Sequence, residues 1–150
     1  MIRKLLDTDD AKQILALEYT NVTTPPLVTN QEVRFNGKGE DGHETFHFQR
    51  ETRIADYQED KKSAFSFCKT AQKPYDKYVV ACLIIAKIIF EKNIKISSDG
   101  EIKDWQEGKE MVEKVMNSTV VISQDKEGGF QIQATIKETS EEEFIKDITK

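Results

Sequence analysis

The segment that most constrains this chain is a run of mostly apolar residues from Tyr78 to Phe90. It contains no glycine or proline, and its apolar residues cover nearly every side of a helical projection. The pattern predicts a helix over about residues 75–92, buried in the middle of a globular protein. The run includes Lys87 and is shorter than the roughly 20 apolar residues of a membrane span. We therefore expect no membrane-spanning segment.

Two segments alternate apolar and polar residues, as half-buried strands do. Gln31–Arg50 alternates on both sides of a glycine-rich loop, and residues 119–137 alternate around Asp125–Gly129. Glycine-rich loops of this kind favour reversals of the chain, and the loop of the first hairpin is expected to be wide. The sequence predicts two antiparallel hairpins, with Ile94–Ile96 as a further short strand.

Helices are predicted between and beside these strands. The first covers about residues 8–18 and is followed by an extended linker with Pro25–Pro26, because proline blocks both helices and central strands. A second covers about residues 58–71. Two Ser-x-x-Glu capping boxes, at Ser98 and Ser140, predict the starts of two more helices.

The order of elements predicts a single α+β domain over residues 1–150. In it, a mostly antiparallel sheet, built from two hairpins and a short strand, packs on the buried central helix. Residues 1–30 form a helix plus linker and residues 31–150 the main body. The predicted core comprises Phe35, Phe46, Phe48, Val79, Cys82, Leu83, Ala86, Ile89, Trp105 and Val112.

Composition limits the classes of function. The net charge of −5 over 150 residues disfavours non-specific binding to the phosphate backbone of nucleic acids. Two cysteines are too few for the disulfide framework of a small secreted domain. The first ten residues lack the apolar stretch that a signal peptide contains, so no signal peptide is expected. We expect a protein of the cytoplasm, and no cofactor or metal is predicted.

The loop of the first hairpin matches G-x-G-x-x-G at Gly37, Gly39 and Gly42. A dinucleotide-binding loop of this type must follow a strand and open a helix, so that pyrophosphate meets the helix N-terminus. Here a second strand follows instead. The glycines therefore indicate turn geometry, with a ligand-binding loop as the less favoured alternative.

Acid–base chemistry has weak candidates in the same loop. His43 could exchange a proton with the help of Asp41 or Glu44. His43 and His47 cannot chelate one metal from a regular strand, because four residues span about 13 Å. The alternative is that these side chains form the ordinary polar face of a hairpin.

The most unusual polar segment runs from Lys69 to Asp76 between two predicted helices. Lys69, Lys73 and Arg50 could hold a phosphate group, and Tyr75, Asp76 and Asp99 could contact a ligand or partner. The structural alternative is that Pro74 and Asp76 start the next helix. Cys68 is a candidate reactive thiol because of its neighbouring lysines, although cysteines on apolar faces are usually inert.

The helix start at Ser98 carries one further hypothesis. In the predicted capping box Ser98 is the cap, Glu101 its reciprocal partner and Asp99 the first helical residue. Glycine is unfavourable in helices, so Gly100 predicts the close approach of a neighbouring backbone or a ligand.

Three segments together resemble a family of small proteins encoded by tailed phages and prophages. They are Arg34–Gly37 running into Glu40–Phe46, then Phe67–Ala71 with Lys73–Asp76, and Ser97–Gly100 with Asp104–Trp105. The resemblance covers about residues 33–116. It implies a protein of the bacterial host cytosol made from a phage genome, and it implies no particular activity.

The leading functional hypothesis is a phage accessory protein, not an enzyme, that binds a host or phage macromolecule, most simply another protein. The first alternative is a small enzyme or ligand binder for a nucleotide or phosphate ester, using residues 37–45 and 69–76. The second is a nucleic-acid-binding protein using residues 50–77, a stretch that contains seven basic and five acidic residues. The net charge makes nucleic acid the least favoured partner.

Overall fold

A computed structural model of the chain describes residues 1–51 and 64–136. The chain divides into two compact units, Met1–Cys82 and Leu83–Lys150. The predicted helix after Ser140 and the first part of the predicted helix 58–71 lie outside the described residues. The arrangement of all 150 residues as one domain stays a prediction.

The first unit begins with two short helices, α1 (Ile2–Leu6) and α2 (Asp9–Ile14). Thr8 caps α2, since its Oγ1 accepts a hydrogen bond of 3.1 Å from the amide of Ala11. The helix predicted to reach residue 18 ends at residue 14. Its last residues instead form strand β1 (Leu15–Ala16), because their backbone pairs with a neighbouring strand.

The sheet of the first unit is centred on β3 (Glu32–Gly37). β1, β2 (Leu27–Val28) and β4 (Phe46–Gln49) each pair with β3 in antiparallel register. β3 and β4 form the first predicted hairpin, with Phe35 opposite Phe46 and their ring centroids 5.1 Å apart. Part of the predicted proline-containing linker thus contributes strand β2.

Helix α3 (Asp76–Phe90) is the long apolar helix, and its buried residues lie on several sides of it, as predicted. Within the first unit, the Tyr78 hydroxyl donates to an Asp10 carboxylate oxygen at 2.5 Å. The Lys77 ammonium lies 3.0 Å from the same oxygen. The Tyr78 and Lys77 hydrogen bonds hold the pKa of Asp10 below its usual range.

The second unit contains α4 (Gln106–Met116), β5 (Ser118–Gln124) and β6 (Phe130–Ile136). β5 and β6 form the second predicted hairpin. The Trp105 and Phe130 rings meet edge to face, with their centroids 4.5 Å apart. Both residues are buried, as are Val112 and Val120. The predicted strand Ile94–Ile96 is wrong, because only a single bridge, Ser97 to Gly129, forms there.

The capping box of the second unit lies three residues later than predicted. Glu101, not Ser98, caps a 3₁₀ turn over Ile102–Trp105, and Asp104 is its reciprocal partner. The Ser98 hydroxyl accepts from the amide of Gly100 at 3.0 Å. The atoms nearest to a Cβ on Gly100 belong to the side chains of Asp104 and Ser98 and not to the neighbouring backbone that was predicted, and approach of a ligand stays a prediction.

The α+β class with antiparallel sheets is confirmed. Of the predicted core, Ile89 is wrong, since 58% of its surface is exposed, and Phe48 and Leu83 are half-buried. The other predicted core residues are buried. Across residues 1–51 and 64–136, none of the helices has the length and apolar content to cross a membrane.

Candidate functional site

The loop between β3 and β4 is fixed from within by one buried amide. Asn36 has no exposed surface. Its Oδ1 accepts from the amides of Gly37 at 2.7 Å and His43 at 3.0 Å. Its Nδ2 donates to the His43 carbonyl at 2.9 Å and the Thr45 hydroxyl at 3.1 Å. One side chain therefore ties the start of the loop to its end.

The glycines of the loop meet a steric requirement. A Cβ on Gly37 would overlap the carbonyl group of Asp41, and one on Gly42 would lie 2.5 Å from Cβ of Tyr19. Gly39 has a φ of 54°, which favours glycine. This compact turn explains the G-x-G-x-x-G pattern and agrees with the predicted turn geometry.

Cys68 and Lys69 lie against the end of the loop. The Glu44 amide donates to the Lys69 carbonyl at 3.2 Å, and the Lys69 amide donates to a Glu44 carboxylate oxygen at 2.7 Å. His43 Nδ1 lies 2.8 Å from the same Lys69 carbonyl. Because a carbonyl only accepts, Nδ1 is the donor in this contact.

The chain then turns sharply into α3. Ala71 and Gln72 have φ values of 52° and 55°, a conformation that residues with a Cβ rarely adopt. The Thr70 hydroxyl donates to an Asp76 carboxylate oxygen at 2.5 Å, across this turn. The Lys73 ammonium donates to the Glu40 carbonyl at 2.9 Å and so joins the turn to the β3–β4 loop.

Tyr75, directly before α3, also binds the end of the β3–β4 loop. Its side chain is fully buried, and its hydroxyl donates to the Glu44 carbonyl at 2.6 Å. Burial raises the pKa of Tyr75, so its hydroxyl stays protonated and remains a donor. We call the group formed by His43, Glu44, Lys69, Lys73, Tyr75 and Asp76 the polar cluster.

The polar cluster contains six of the nine predicted site residues. Asp41 is exposed in the 3₁₀ turn Gly39–Asp41 of the same loop. Arg50 follows the far end of β4, where its amide donates to the Gln31 carbonyl at 2.7 Å. Asp99 belongs to the second unit and is exposed in the bend before the 3₁₀ turn 102–105.

The contacts of the polar cluster join residues 37–45 to residues 68–76 mainly through backbone groups. Glu44 binds an amide, His43 binds a carbonyl, and Lys73 binds a carbonyl. The predicted pairing of His43 with Asp41 or Glu44 is not among the side-chain contacts of the described residues. In these residues, no three or more His, Cys, Asp or Glu side chains are grouped to hold a metal ion.

The predicted helix 58–71 is wrong over residues 64–71, which have no helical structure. This segment leaves Phe65 and Phe67 exposed, with 68% and 65% of their surfaces accessible. Their ring centroids lie 5.9 Å apart. Neither residue is among the predicted site residues, because the apolar spacing of the predicted helix 58–71 puts Phe65 on its buried face. The i, i+2 spacing of the two phenylalanines was the signal that could have identified them.

Cys68 is expected to react slowly with thiol reagents. Its Sγ lies 3.5 Å from the Glu44 carbonyl, and burial with the nearby Glu44 charge raises its pKa to about 11. Since only the thiolate is nucleophilic, we expect alkylation by iodoacetamide to remain slow at pH 7 to 8 and to accelerate toward pH 11. The rate, followed by peptide mass spectrometry, is compared with that of a free cysteine. Alkylation of Cys68 at pH 7 as fast as that of free cysteine would contradict the prediction.

Comparison of the chain with protein-family models, with curated proteins and with solved structures finds no match.

Proposed function

We propose that this chain is a protein-binding accessory protein that presents Phe65 and Phe67 to its partner, with the polar cluster holding this segment in place. The observation that carries the proposal is the exposure of two neighbouring aromatic rings, 68% and 65%, in one short segment. Water-exposed aromatic pairs are unfavourable for an isolated chain and are typical of binding surfaces.

The energetic argument starts from the area that these rings expose. Full burial of one phenylalanine side chain contributes about 2 kcal/mol. Aromatic residues dominate the binding energy of protein interfaces because they bury much area with few rotatable bonds. Phe65 and Phe67 could therefore supply the central contact of a modest interface.

The polar cluster supports this role because it anchors the segment that carries the rings. Cys68 and Lys69, directly after Phe67, are held to Glu44 by hydrogen bonds from Sγ and the backbone amide. Glu44 is itself held by Tyr75. An anchored segment loses less conformational entropy when it binds than a free one does.

The candidate catalytic residues fit this role better than acid–base chemistry. A general base needs a group free to reach its substrate. Glu44 and Lys73 instead hold backbone groups, and His43 uses Nδ1 to bind a backbone carbonyl. The resemblance to phage proteins implies no particular activity and is compatible with an accessory role. A phage origin and a place in the host cytosol remain part of the proposal.

The test places a photo-crosslinking phenylalanine analogue at position 65 in a bacterial host and identifies the crosslinked species by mass spectrometry. Purified partner and purified chain are then titrated against each other. We expect Phe65→Ser with Phe67→Ser to weaken binding at least tenfold, because both rings leave the interface. The matched control is Val121→Ser, another exposed apolar residue, on strand β5.

The control should bind as the unmodified chain does, and both variants should keep its unfolding midpoint. Equal binding by the Phe65/Phe67 variant and the control would overturn the proposal. Crosslinking to nucleic acid rather than protein would also overturn it, in favour of the alternative that uses residues 50–77.

A further inference from the structure

We propose that a cavity in the first unit binds an organic anion, with a negatively charged head beside Arg3 and Lys38 and an apolar body against the 22–28 segment. The cavity has a volume of about 540 Å³. It is lined by residues of α1, α2, β1 and the 22–28 segment, together with Asp7 and with Lys38, which directly follows β3. Small-molecule sites in proteins typically enclose 300 to 1,000 Å³, so the volume suits a ligand of moderate size.

The charge of the lining favours an anion. Arg3, Lys12 and Lys38 line the cavity, and Asp7 is its one acidic lining residue. Asp7 lies 3.6 Å from Lys12, which leaves two cations without an acidic neighbour. Among the residues that the structure describes, neither Arg3 nor Lys38 forms an ion pair. This excess of positive charge stands out in a chain whose net charge is −5.

The position of Lys38 is set by the fold. Its ammonium donates to the Lys12 carbonyl at 2.5 Å, in the last turn of α2. Its backbone amide donates to the Ile14 carbonyl at 3.1 Å. An ammonium has three donors, so two remain for a ligand after the bond to Lys12. A fixed cation of this kind loses little side-chain entropy when an anion binds.

The remaining lining is apolar except for Thr23 and Thr24, and much of it is stiff. Leu6 and Leu15 form one part of it, and Pro25, Pro26, Leu27 and Val28 form another. The two prolines have fixed φ angles, and Leu27 and Val28 are held by pairing with β3. The Leu17 amide also donates to the Thr24 carbonyl at 2.8 Å, which ties the segment back to β1. The walls therefore exist before any ligand binds.

Together these features select a ligand class. A purely inorganic anion would leave the apolar part of the walls in contact with water, and a neutral apolar molecule would give Arg3 and Lys38 no anionic partner. The ligand that satisfies both is an acidic head group on an apolar body. A phosphate monoester and a carboxylate share this chemistry, and the experiment distinguishes them.

The experiment titrates the whole chain with octyl phosphate, octanoate, octanol and inorganic phosphate at low ionic strength, followed by amide chemical shifts in NMR spectra. We expect one or both of the octyl anions to bind at least tenfold more tightly than octanol and than inorganic phosphate. The tighter of the two identifies the head group. Shift changes should lie at residues 3–7, 12–15, 22–24, 27–28 and 38, since the two prolines of the segment have no amide N–H.

Two variants test the cations separately. Arg3→Gln should weaken binding of the better anion about tenfold and leave octanol unchanged, as expected for loss of a charged hydrogen-bond donor. Lys38→Gln should do the same, although it also removes the bond to Lys12. The matched control is Lys126→Gln, an exposed cation in the turn between β5 and β6.

The control should bind like the unmodified chain. The proposal is overturned if octanol binds as tightly as the anions, if Arg3→Gln binds as the control does, or if the shifts cluster around Phe65 and Phe67. The last outcome leaves the protein-binding proposal intact, so the two proposals fail independently.

Discussion

Replacing Asn36 by alanine is expected to lower the free energy of unfolding by about 3 kcal/mol or more. The amide of Asn36 makes four hydrogen bonds in a site with no exposed surface. Alanine would leave the partners on Gly37, His43 and Thr45 without this amide. Each buried polar group left unpaired costs about 1 to 3 kcal/mol, reduced where the loop can open to water.

The measurement is urea unfolding of the unmodified chain and of Asn36→Ala, followed by circular dichroism. The matched control is Asn30→Ala, since Asn30 is exposed just before β3 and should change stability by less than about 0.5 kcal/mol. If Asn36→Ala unfolds within about 1 kcal/mol of the control, the amide is not the structural centre of the loop.

The loss of stability should extend beyond the loop, because the hydrogen bonds of Asn36 connect through Glu44 to the segment that follows Phe67. Asn36 fixes His43 and Thr45, which flank Glu44. Glu44 holds Cys68 and Lys69, the residues that follow the exposed Phe67. A variant that loosens the loop should therefore also loosen the segment that presents the aromatic pair, even though no substituted residue touches the partner.

The elements with strong local patterns could be predicted from the sequence. The long run of apolar residues predicts α3, and the alternation around glycine-rich loops predicts the β3–β4 and β5–β6 hairpins. In each, one pattern dominates over many residues, and burial of the apolar face agrees with the local conformation. Such agreement between local and global preferences is what makes an element predictable.

The segment over residues 64–71 could not be predicted in this way. Its apolar residues share a helical face, yet Cys68 and Lys69 form hydrogen bonds with Glu44, which is 24 to 25 positions away in sequence. Ala71 and Gln72 adopt left-handed conformations that no local propensity favours. Long-range contacts decide the structure here, and a periodicity argument does not contain them.

Most residues of the candidate site could be identified from the sequence, but their role could not. Tyr75 and Glu44 were named as binding or catalytic candidates because polar side chains in loops often act on ligands. In the structure they hold the chain together. The capping box of the second unit could likewise not be placed from the sequence. Two capping pairs are compatible with it, Ser98 with Glu101 and Glu101 with Asp104. Only the observed hydrogen bonds choose between them.

The glycine pattern of the first loop leads to the second large effect. Gly37→Ala is expected to destabilise the protein by about 3 kcal/mol, at the upper end of the usual range for overpacking. The added Cβ would overlap the Asp41 carbonyl and lie 3.0 Å from the Tyr75 ring. Asp41 belongs to a 3₁₀ turn, so its backbone cannot retreat without breaking the turn. Tyr75 is fully buried, and side chains in a close-packed interior have little room to move.

Gly100→Ala is the matched control for Gly37→Ala. At Gly100 the added Cβ would lie 3.2 Å from an Asp104 carboxylate oxygen and 3.3 Å from the Ser98 hydroxyl, both ends of movable side chains. We therefore expect a change within about 1 kcal/mol, measured by the same urea titration. Both substitutions add one methyl group to a glycine without a positive φ, so a difference between them isolates the backbone contact at Asp41. Equal stability of the two variants would mean that the 37–42 loop can shift to accept a side chain, and its glycines would then need another explanation.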